Sequence, residues 1–155
     1  MKTEPSSYSI DDLKREKKTM WDGIRNYQAR NFMKDSMRIG DYVLLYHSNT
    51  KELGVAGEGR VCSKPYPDPT QFNRESKYFD PKSTKEKPRW FLVDICYENK
   101  FHRLITLEML RGEKALKNMV TLRPGNRLSI TPVQKKEYER IRDLGNKKPP
   151  KKVAG

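Results

Sequence analysis

The segment from residue 63 to residue 89 restricts the possible folds of this chain more than any other. It holds five prolines among Asp, Ser, Lys and aromatic residues, and prolines break helices and central strands. Apolar, strand-like runs flank it, at residues 42–47 and 55–62 before it and at residues 90–97 after it. Because the other connections are short, the chain has no room for repeated crossover helices. The pattern predicts a small mixed barrel and excludes a doubly wound parallel sheet.

The same segment is predicted to be an ordered loop. Connections of this length are uncommon in compact domains and are usually either functional or disordered. Tyrosines and phenylalanines at positions 66, 72, 78 and 79 favour a loop that packs onto the body, because disordered segments contain few aromatic residues.

Short helices are predicted from the residues that begin and end them. Ser9, followed by two acidic residues, caps a helix that ends by Lys18, and a second helix begins near Asn26. Thr106 caps a third helix, and residues 113–119 are predicted to form a fourth.

The C-terminal part is predicted to contain one more strand, one more helix and a tail. Residues 127–130 are predicted to form the last strand. Thr131, with Pro and Gln after it, opens a helix that Gly145 closes. Residues 1–145 therefore read as a single domain, and residues 146–155 as a basic, disordered tail.

The net charge of +13 is distributed unevenly along the chain. Residues 1–100 contain 19 basic and 15 acidic side chains, whereas residues 101–155 contain 14 basic and 5 acidic ones. Such an excess is the electrostatic footprint of proteins that bind nucleic acid, although a purely solubilising surface would have the same composition. Nucleic acid is the favoured partner.

Several classes of protein and site are not expected. No apolar run approaches the roughly 20 residues of a transmembrane helix, and residues 1–5 lack the apolar stretch of a secretory signal. We expect a cytoplasmic protein, or a nuclear one in a eukaryote, without membrane contact. Cys62 and Cys96 fall in predicted strands and are expected as buried, reduced thiols. With two histidines and no phosphate-binding glycine motif, neither a metal nor a cofactor is expected.

The segment from residue 19 to residue 31 combines Trp21 and Tyr27 with two arginines and two asparagines. Aromatic rings give a nucleobase a stacking face, Asn and Asp side chains reach its hydrogen-bonding edge, and Arg neutralises phosphate. The same residues also suit a surface loop that leads into an amphipathic helix, with both rings half-buried by packing. Nucleobase binding and packing both remain open for this segment.

Six ordered motifs resemble those of the EVE domain family and together cover nearly the whole chain apart from the tail. They are MKTEP (residues 1–5), WDG with RNYQARN (21–31), GD with YHSN (40–49), YPDPTQF (66–72), RW with VD (89–94) and LSITPV (128–133). Any one of these motifs is weak on its own, but six in order are a specific signal.

The resemblance implies an α+β, PUA-like fold, in which a small curved mixed β-sheet or pseudobarrel is flanked by short helices, related to YTH and ASCH domains. It also implies an aromatic-lined pocket for a modified nucleobase, with methylated or hydroxymethylated cytosine in DNA and modified bases in RNA among the ligands. Trp21 would be a cage aromatic and Asp22 a polar contact to the base, with Thr3 and Glu4 on the pocket floor. Members usually carry several apolar residues before the first motif, so either the first strand of this chain is clipped or its start is misassigned.

Further residues are assigned to the pocket and to the phosphate surface. Asn26, Tyr27, Ser48 and Asn49 are expected around the base, although helix caps and turns would use the polar ones equally well. A base can enter such a pocket only when it is flipped out or single-stranded. The cations expected to contact phosphate are Arg25, Arg30, Lys114, Lys117, Arg123 and Arg127.

Two functions from different classes fit these features. The first is a non-enzymatic reader of a modified nucleobase in DNA or RNA. The second, suggested by the ASCH relatives, is a hydrolase that acts on a modified nucleoside, with Glu4 and Asp22 as acid or base groups. The basic surface distinguishes them, because a reader needs phosphate contacts and a hydrolase of free nucleosides does not.

Overall fold

The computed structural model describes residues 1–148, so most of the predicted tail, residues 149–155, lies outside the described residues. Seven strands are present: β1 (Lys2–Thr3), β2 (Lys18–Met20), β3 (Tyr42–His47), β4 (Gly54–Val61), β5 (Tyr66–Pro67), β6 (Phe91–Leu92) and β7 (Asp94–Thr106). The α-helices are α1 (Ile10–Glu16), α2 (Tyr27–Asn31), α3 (Leu107–Arg111) and α4 (Lys135–Asn146). A π-helical turn, Phe32–Ser36, extends α2, and three short 3₁₀ segments span Pro69–Phe72, Lys114–Leu116 and Val120–Leu122.

Five of the strands form one mixed sheet in the order β1-β3-β4-β7-β2, which curls into a half-barrel. Only β1 runs parallel to its neighbour, and the other pairs are antiparallel. The register shifts within the β3–β4 and β4–β7 pairs, and such bulges bend strands. The predicted small, curved, mixed sheet flanked by short helices is confirmed, with β1 and β2 as its two edges.

The two faces of the sheet pack against different helices. Because side chains alternate along a strand, Val43 and Leu45 of β3 join a cluster with Ile10 and Leu13 of α1. The intervening residues of β3 join a second cluster with α4, which includes Ile141. Both clusters consist of buried apolar side chains, so the sheet is covered on both faces.

The helix starts predicted from capping residues are mostly confirmed. The Ser9 hydroxyl accepts from the Asp12 N–H at 3.2 Å and completes a capping box at α1. The Asn26 side chain accepts from the Ala29 N–H at 3.0 Å and begins α2, and Thr106 caps α3. Local hydrogen bonding alone therefore places these three ends.

Elements of the C-terminal half depart from the prediction. Residues 127–130 form no strand, because only the Ser129 carbonyl bonds to a strand, accepting from the Lys2 N–H at 2.7 Å. In place of the helix predicted for residues 113–119 there is a 3₁₀ turn at Lys114–Leu116. The last strand element, β7, extends to Thr106, well beyond the predicted end at residue 97.

Both predicted ends of the last helix are wrong. Gln134, not Thr131, caps α4, because Glu137 completes the capping box from within the first turn. Gly145 lies inside the helix, which continues to Asn146. A Cβ on Gly145 would lie 2.3 Å from the Phe101 ring, so this glycine allows α4 to approach β7.

The prediction of reduced cysteines is also wrong. Cys62 and Cys96 form a disulfide, with their Cα atoms 5.9 Å apart. Cys96 lies on β7, opposite Arg60 on β4, and the Cys62 N–H donates to the Asp94 carbonyl at 2.9 Å. Neighbouring antiparallel strands thus bring the two thiols within bonding geometry.

None of the helices within residues 1–148 combines the length and the apolar composition that crossing a bilayer requires.

Candidate functional site

A recess of about 640 Å³ lies between the two edges of the curled sheet. Thr3 and Glu4, at the end of β1, line it from one edge, and Thr19 and Met20 of β2 line it from the other. The loop after β2 and part of the long proline-containing loop complete its walls. The recess therefore exists because the half-barrel brings its two edge strands together without pairing them.

Three aromatic side chains line this recess. Trp21 directly follows β2, and its backbone N–H donates to the Val93 carbonyl at 3.0 Å. Its side chain is only 7% exposed, and Tyr8 packs against it edge to face with ring centres 6.5 Å apart. Tyr78 of the long loop is the third ring. The indole is mostly packed, and the recess opens beside it.

The backbone at Gly23 allows Tyr78 to reach the recess. Gly23 has a φ of +80°, and a Cβ at this position would lie 2.6 Å from two ring atoms of Tyr78. Both the left-handed conformation and the ring contact therefore require glycine. The glycine of the WDG motif thus shapes the wall formed by the long loop.

Asp68 and Arg25 hold together the loops that form the recess walls. The Asp68 carboxylate is fully buried and accepts from the Gly23 N–H at 2.8 Å, the Thr70 hydroxyl at 2.6 Å and Arg25 Nη1 at 3.1 Å. Arg25 also donates to the Tyr78 carbonyl, from Nε at 3.1 Å and from Nη2 at 2.7 Å. Burial alone would raise the pKa of Asp68, but these hydrogen bonds lower it below its usual value.

Carboxylates and hydroxyls dominate the polar part of the lining. Glu4, Glu16 and Asp22 all border the recess. Asn49 donates to Glu4 Oε1 at 3.2 Å and fixes that carboxylate at the mouth. Burial raises the pKa of Asp22, and the nearby carboxylate of Asp68 adds to the effect. The lining is thus rich in hydrogen-bond acceptors, which suit a ligand that carries N–H donors.

The hydroxyl of Tyr8 is committed to one of these carboxylates. It donates to Glu16 Oε2 at 2.6 Å. Burial and this bond raise the pKa of Tyr8 to about 12. Tyr8 therefore contributes its ring to the recess while its hydroxyl is already bonded.

Two lysines provide positive charge at the recess. Lys2 and Lys77 both line it, and Lys2 Nζ donates to the Asn126 carbonyl at 3.3 Å. Burial lowers the pKa of Lys2. The turn that contains Asn126 begins at Arg123, whose carbonyl accepts from the Asn126 N–H at 3.1 Å. Arg123 and Arg127 are exposed on this turn beside β1, whereas Lys114 and Lys117 lie on the 3₁₀ segment after α3.

Four of the eight residues predicted for the pocket line the recess, namely Thr3, Glu4, Trp21 and Asp22. Ser48 and Asn49 do not line the recess but bond to residues that do. The Asn49 side chain donates to Glu4, and the Ser48 backbone N–H donates to the Thr3 carbonyl at 2.9 Å. Asn26 and Tyr27 lie on α2, outside the lining: Asn26 caps that helix, and Tyr27 stacks on Trp90 with ring centres 4.9 Å apart.

Two of the predicted phosphate contacts are used inside the protein. The donors of Arg25 bind Asp68 and neighbouring carbonyls, and Arg30 donates to the Arg89 carbonyl at 2.7 Å and to Asn31. Sequence reasoning missed Lys2, Tyr8, Lys77 and Tyr78 as lining residues. Lys2 and Tyr8 belong to the first motifs and could have been found there, whereas only the aromatic content of the long loop pointed to Tyr78.

A second recess of about 620 Å³, the apolar groove, lies between β3, the segment 119–133 and α4. Met37, Val43, Leu44, Ile130 and Val133 are among the side chains that line it. Five charged residues border it as well: Lys135, Glu139 and Arg142 on α4, Asp41 in the turn before β3, and Lys2 of β1, which also lines the first recess.

Known proteins resemble this chain over nearly its whole length. The family model described as the EVE domain matches residues 1–144. Human thymocyte nuclear protein 1 is 40% identical over 96% of this chain and 74% of its own length. An uncharacterised protein of Schizosaccharomyces pombe is 41% identical over 86% of this chain and 56% of its own.

Two solved structures show the same fold at similar identity. A Pseudomonas syringae protein is 41% identical, with a TM-score of 0.88 over 93% of this chain and 96% of its own. The human THYN1 protein, crystallised in complex with DNA that contains 5-methylcytosine, is 38% identical, with a TM-score of 0.88 over 96% of this chain and 97% of its own.

Proposed function

This chain belongs to the EVE domain family and has its PUA-like fold, and from this premise we propose that it is a non-enzymatic reader that binds a modified nucleobase of DNA or RNA beside Trp21. The observation that carries the proposal is the recess that joins Trp21, from one sheet edge, to Glu4, from the other. The 5-methylcytosine DNA bound by the human relative supports the choice of ligand class.

The acceptors of the recess favour a base with an exocyclic amino group. The N4 amino group of cytosine can donate a hydrogen bond to a carboxylate, whereas thymine and uracil have a carbonyl oxygen at the same position. Glu4 and Asp22 are exposed in the free protein, and a base in the recess would cover them, so that oxygen would leave their carboxylates unpaired at a cost of about 1–3 kcal/mol. Cytosine and its 5-methyl derivative are therefore the proposed bases.

Apolar contacts would add affinity with less selectivity. Stacking of a base on an aromatic side chain contributes about 1–3 kcal/mol, and burial of one methyl group adds about 0.8 kcal/mol. Because the Trp21 face is largely packed, the exposed part of the indole, Tyr78 and Met20 together form the apolar wall. The methyl group alone would thus give only a few-fold preference for 5-methylcytosine.

Lysines of the recess and arginines of the adjoining turn would contact phosphate. Lys2 and Lys77 line the recess, and Arg123 and Arg127 are exposed beside β1. Each phosphate contact lowers the logarithm of affinity by about 0.7 to 0.9 per decade of salt. Replacement of Arg123 and Arg127 by Gln should therefore flatten the salt dependence of oligonucleotide binding and leave nucleoside binding unchanged.

Three nucleosides test the proposal by calorimetry: 5-methyl-2′-deoxycytidine, 2′-deoxycytidine and thymidine. Thymidine has the same methyl group as the first and differs in the groups of the base edge. We expect the methylated cytidine to bind about 10- to 100-fold more tightly than thymidine and about fourfold more tightly than deoxycytidine. Equal binding of all three would exclude base reading in the recess.

Matched variants locate the binding. Glu4→Gln keeps an acceptor for Asn49 but removes the charge, and should reduce the preference over thymidine. Glu139→Gln makes the same change on the apolar groove and should have no effect. Trp21→Leu should weaken binding about tenfold or more by loss of stacking. Recovery of intact nucleoside after long incubation is expected, and turnover abolished by Glu4→Gln would favour a hydrolase instead.

A further inference from the structure

A second aromatic surface adjoins the recess at the start of α2. Trp90 is 5% exposed and stacks on Tyr27, which is 46% exposed, with ring planes 25° apart. The Arg30 guanidinium lies 4.6 Å from the centre of the Tyr27 ring, closer than the 4.9 Å between the ring centres of Tyr27 and Trp90. We call Trp90, Tyr27 and Arg30 the Tyr27 stack.

Hydrogen bonds hold this stack in place before any ligand binds. Arg30 donates to the Arg89 carbonyl at 2.7 Å and to Asn31 Oδ1 at 3.0 and 2.7 Å. Arg89 donates to the Tyr27 hydroxyl and to Asp80 Oδ2, the latter at 3.1 Å. Because these donors are used internally and the guanidinium lies 4.6 Å from the Tyr27 ring and 5.9 Å from the Trp90 ring, Arg30 supplies positive charge beside the exposed Tyr27 ring rather than free N–H groups for phosphate.

Arg25 joins the stack to the recess. Its guanidinium carbon lies 5.5 Å from the centre of the Tyr78 ring and 5.3 Å from that of the Trp90 ring. Tyr78 lines the recess and Trp90 is the inner ring of the stack. The two rings are thus no farther apart than these distances combined, a separation that neighbouring bases of an opened, extended strand can bridge.

We propose that the Tyr27 stack is a second subsite, which holds a base next to the one in the recess, so that the ligand is a single strand or a locally opened duplex. This inference rests on the proposed function, because the recess would hold the central base. Base stacking on rings and guanidinium planes tolerates any sequence, and nearby arginine charge attracts the backbone. The recess would then select one base, and the Tyr27 stack would bind the neighbouring base whatever its identity.

Short single-stranded DNA with a central 5-methylcytosine tests the proposal by fluorescence anisotropy at fixed salt. One oligonucleotide has ordinary bases on both sides, and two others have an abasic site immediately 5′ or 3′ of the central base, which keeps all phosphates. We expect loss of the base on one side to weaken binding about tenfold. Equal affinity of all three would overturn the proposal.

Tyr27→Leu tests the assignment to the stack while it keeps apolar cover over Trp90. In this variant the affinity difference between intact and abasic oligonucleotides should shrink to less than twofold. Tyr42→Leu is the matched control and should leave the difference unchanged, because Tyr42 is 45% exposed, stacks on Tyr138 at 5.2 Å and lies under Arg60, but borders the apolar groove. A difference that persists in Tyr27→Leu would assign the neighbouring base to another surface.

Nucleoside binding distinguishes failure of this inference from failure of the proposed function. If free 5-methyl-2′-deoxycytidine binds with equal affinity to the wild type and Tyr27→Leu, and neighbouring bases add nothing, the recess stands and the subsite falls. If the nucleoside does not bind, or binds equally well to Trp21→Leu, the recess itself is not the site, and the subsite falls with it.

Discussion

The two recesses of this protein have nearly the same volume, about 640 and 620 Å³, but opposite chemistry. The recess between the sheet edges is bordered by three carboxylates and two lysines, whereas the apolar groove is bordered mainly by aliphatic and aromatic side chains. A large apolar pocket is the usual first candidate for a ligand site. An apolar wall rejects a wrong heteroatom weakly, however, and a wall of hydrogen-bonding groups rejects it strongly. The proposed selectivity among similar bases would therefore come from the recess.

The walls of the two cavities also depend on different interactions. The recess needs loops held by a buried ion pair, Asp68 with Arg25, and by a disulfide at the base of the long loop. The apolar groove needs only packing between the sheet and α4. Changes to these links, or to the loop backbone at Gly23, should therefore destabilise the loops around the recess, and four experiments test this, from the largest expected effect to the smallest.

Asp68→Ala should give the largest effect. The change leaves Arg25 and the Gly23 N–H without their partner at a site where the lost carboxylate is fully buried. We expect a loss of about 3–5 kcal/mol in the free energy of unfolding, measured with urea. Glu113→Ala, which breaks a partly exposed pair with Arg140, should cost less. Equal losses in the two variants would contradict the role assigned to the ion pair of Asp68 with Arg25.

Removal of the disulfide by Cys62→Ser with Cys96→Ser should rank second. The bond joins residues 34 apart and encloses the loop that carries Tyr78, whereas no residue that borders the apolar groove lies inside it. A loop of this size predicts a loss of about 2–4 kcal/mol. Reducing agent should lower the wild-type unfolding midpoint and leave the double variant unchanged, and a shift in both would point to another cause.

Gly23→Ala should follow, because the new Cβ meets the Tyr78 ring at 2.6 Å and strains a φ of +80°. A cost of about 1–3 kcal/mol is expected, together with weaker nucleoside binding. Gly125→Ala controls for backbone strain alone, since Gly125 has a φ of +77° and no atom within 4 Å of the added Cβ. If both variants lose the same stability, the contact with Tyr78 contributes nothing.

The pH dependence of stability should show the smallest effect, because it measures only one part of the Asp68 interaction. A carboxyl whose pKa is lowered by folding stabilises the protein above its unfolded value, here 3.8, and that stability is lost as the pH falls through the lower folded value. Urea unfolding should therefore show a steeper loss below about pH 4 in the wild type than in Asp68→Asn. Parallel curves would mean that Asp68 is not stabilised as an anion.

Sequence alone located those elements whose ends are fixed by neighbouring residues. Ser9, Asn26 and Thr106 each cap a helix through a side chain that bonds three residues ahead, so a local pattern is sufficient. The strand at residues 42–47 was equally clear, because its apolar and β-branched residues are buried on both faces. The pattern of strands and short connections predicted a small mixed barrel, and the resemblance to the EVE family added the PUA-like arrangement of a curved sheet flanked by helices.

Features that depend on distant residues were not predictable in the same way. The disulfide requires the register between β4 and β7, which two isolated cysteines do not reveal. Gly145 looks like a helix end until Phe101 is found beneath it. Residues 127–130 have the composition of a strand but no neighbour with which to form a ladder. In each case a tertiary partner overrides the local signal.

The candidate site likewise combines residues that the sequence identified and residues that only the tertiary structure brings together or separates. Motif resemblance brought together Thr3, Glu4, Trp21 and Asp22, which lie on two edges of the sheet and are distant in sequence. Tyr27 was grouped with them because it is only six residues from Trp21, but the turn at Gly23 and the start of α2 point the chain away. Nearness in sequence was thus a poor guide over a single tight turn.

The recess separates two strands, β1 and β2, that lie at opposite ends of the strand order and share no hydrogen bonds as a pair. A base held there would lie where a closed barrel would have further strands between β1 and β2. Its binding should slow amide hydrogen exchange in β1 and in β2 at the same time, although these two strands are not paired with each other. Occupancy would in this sense complete the circumference of the barrel.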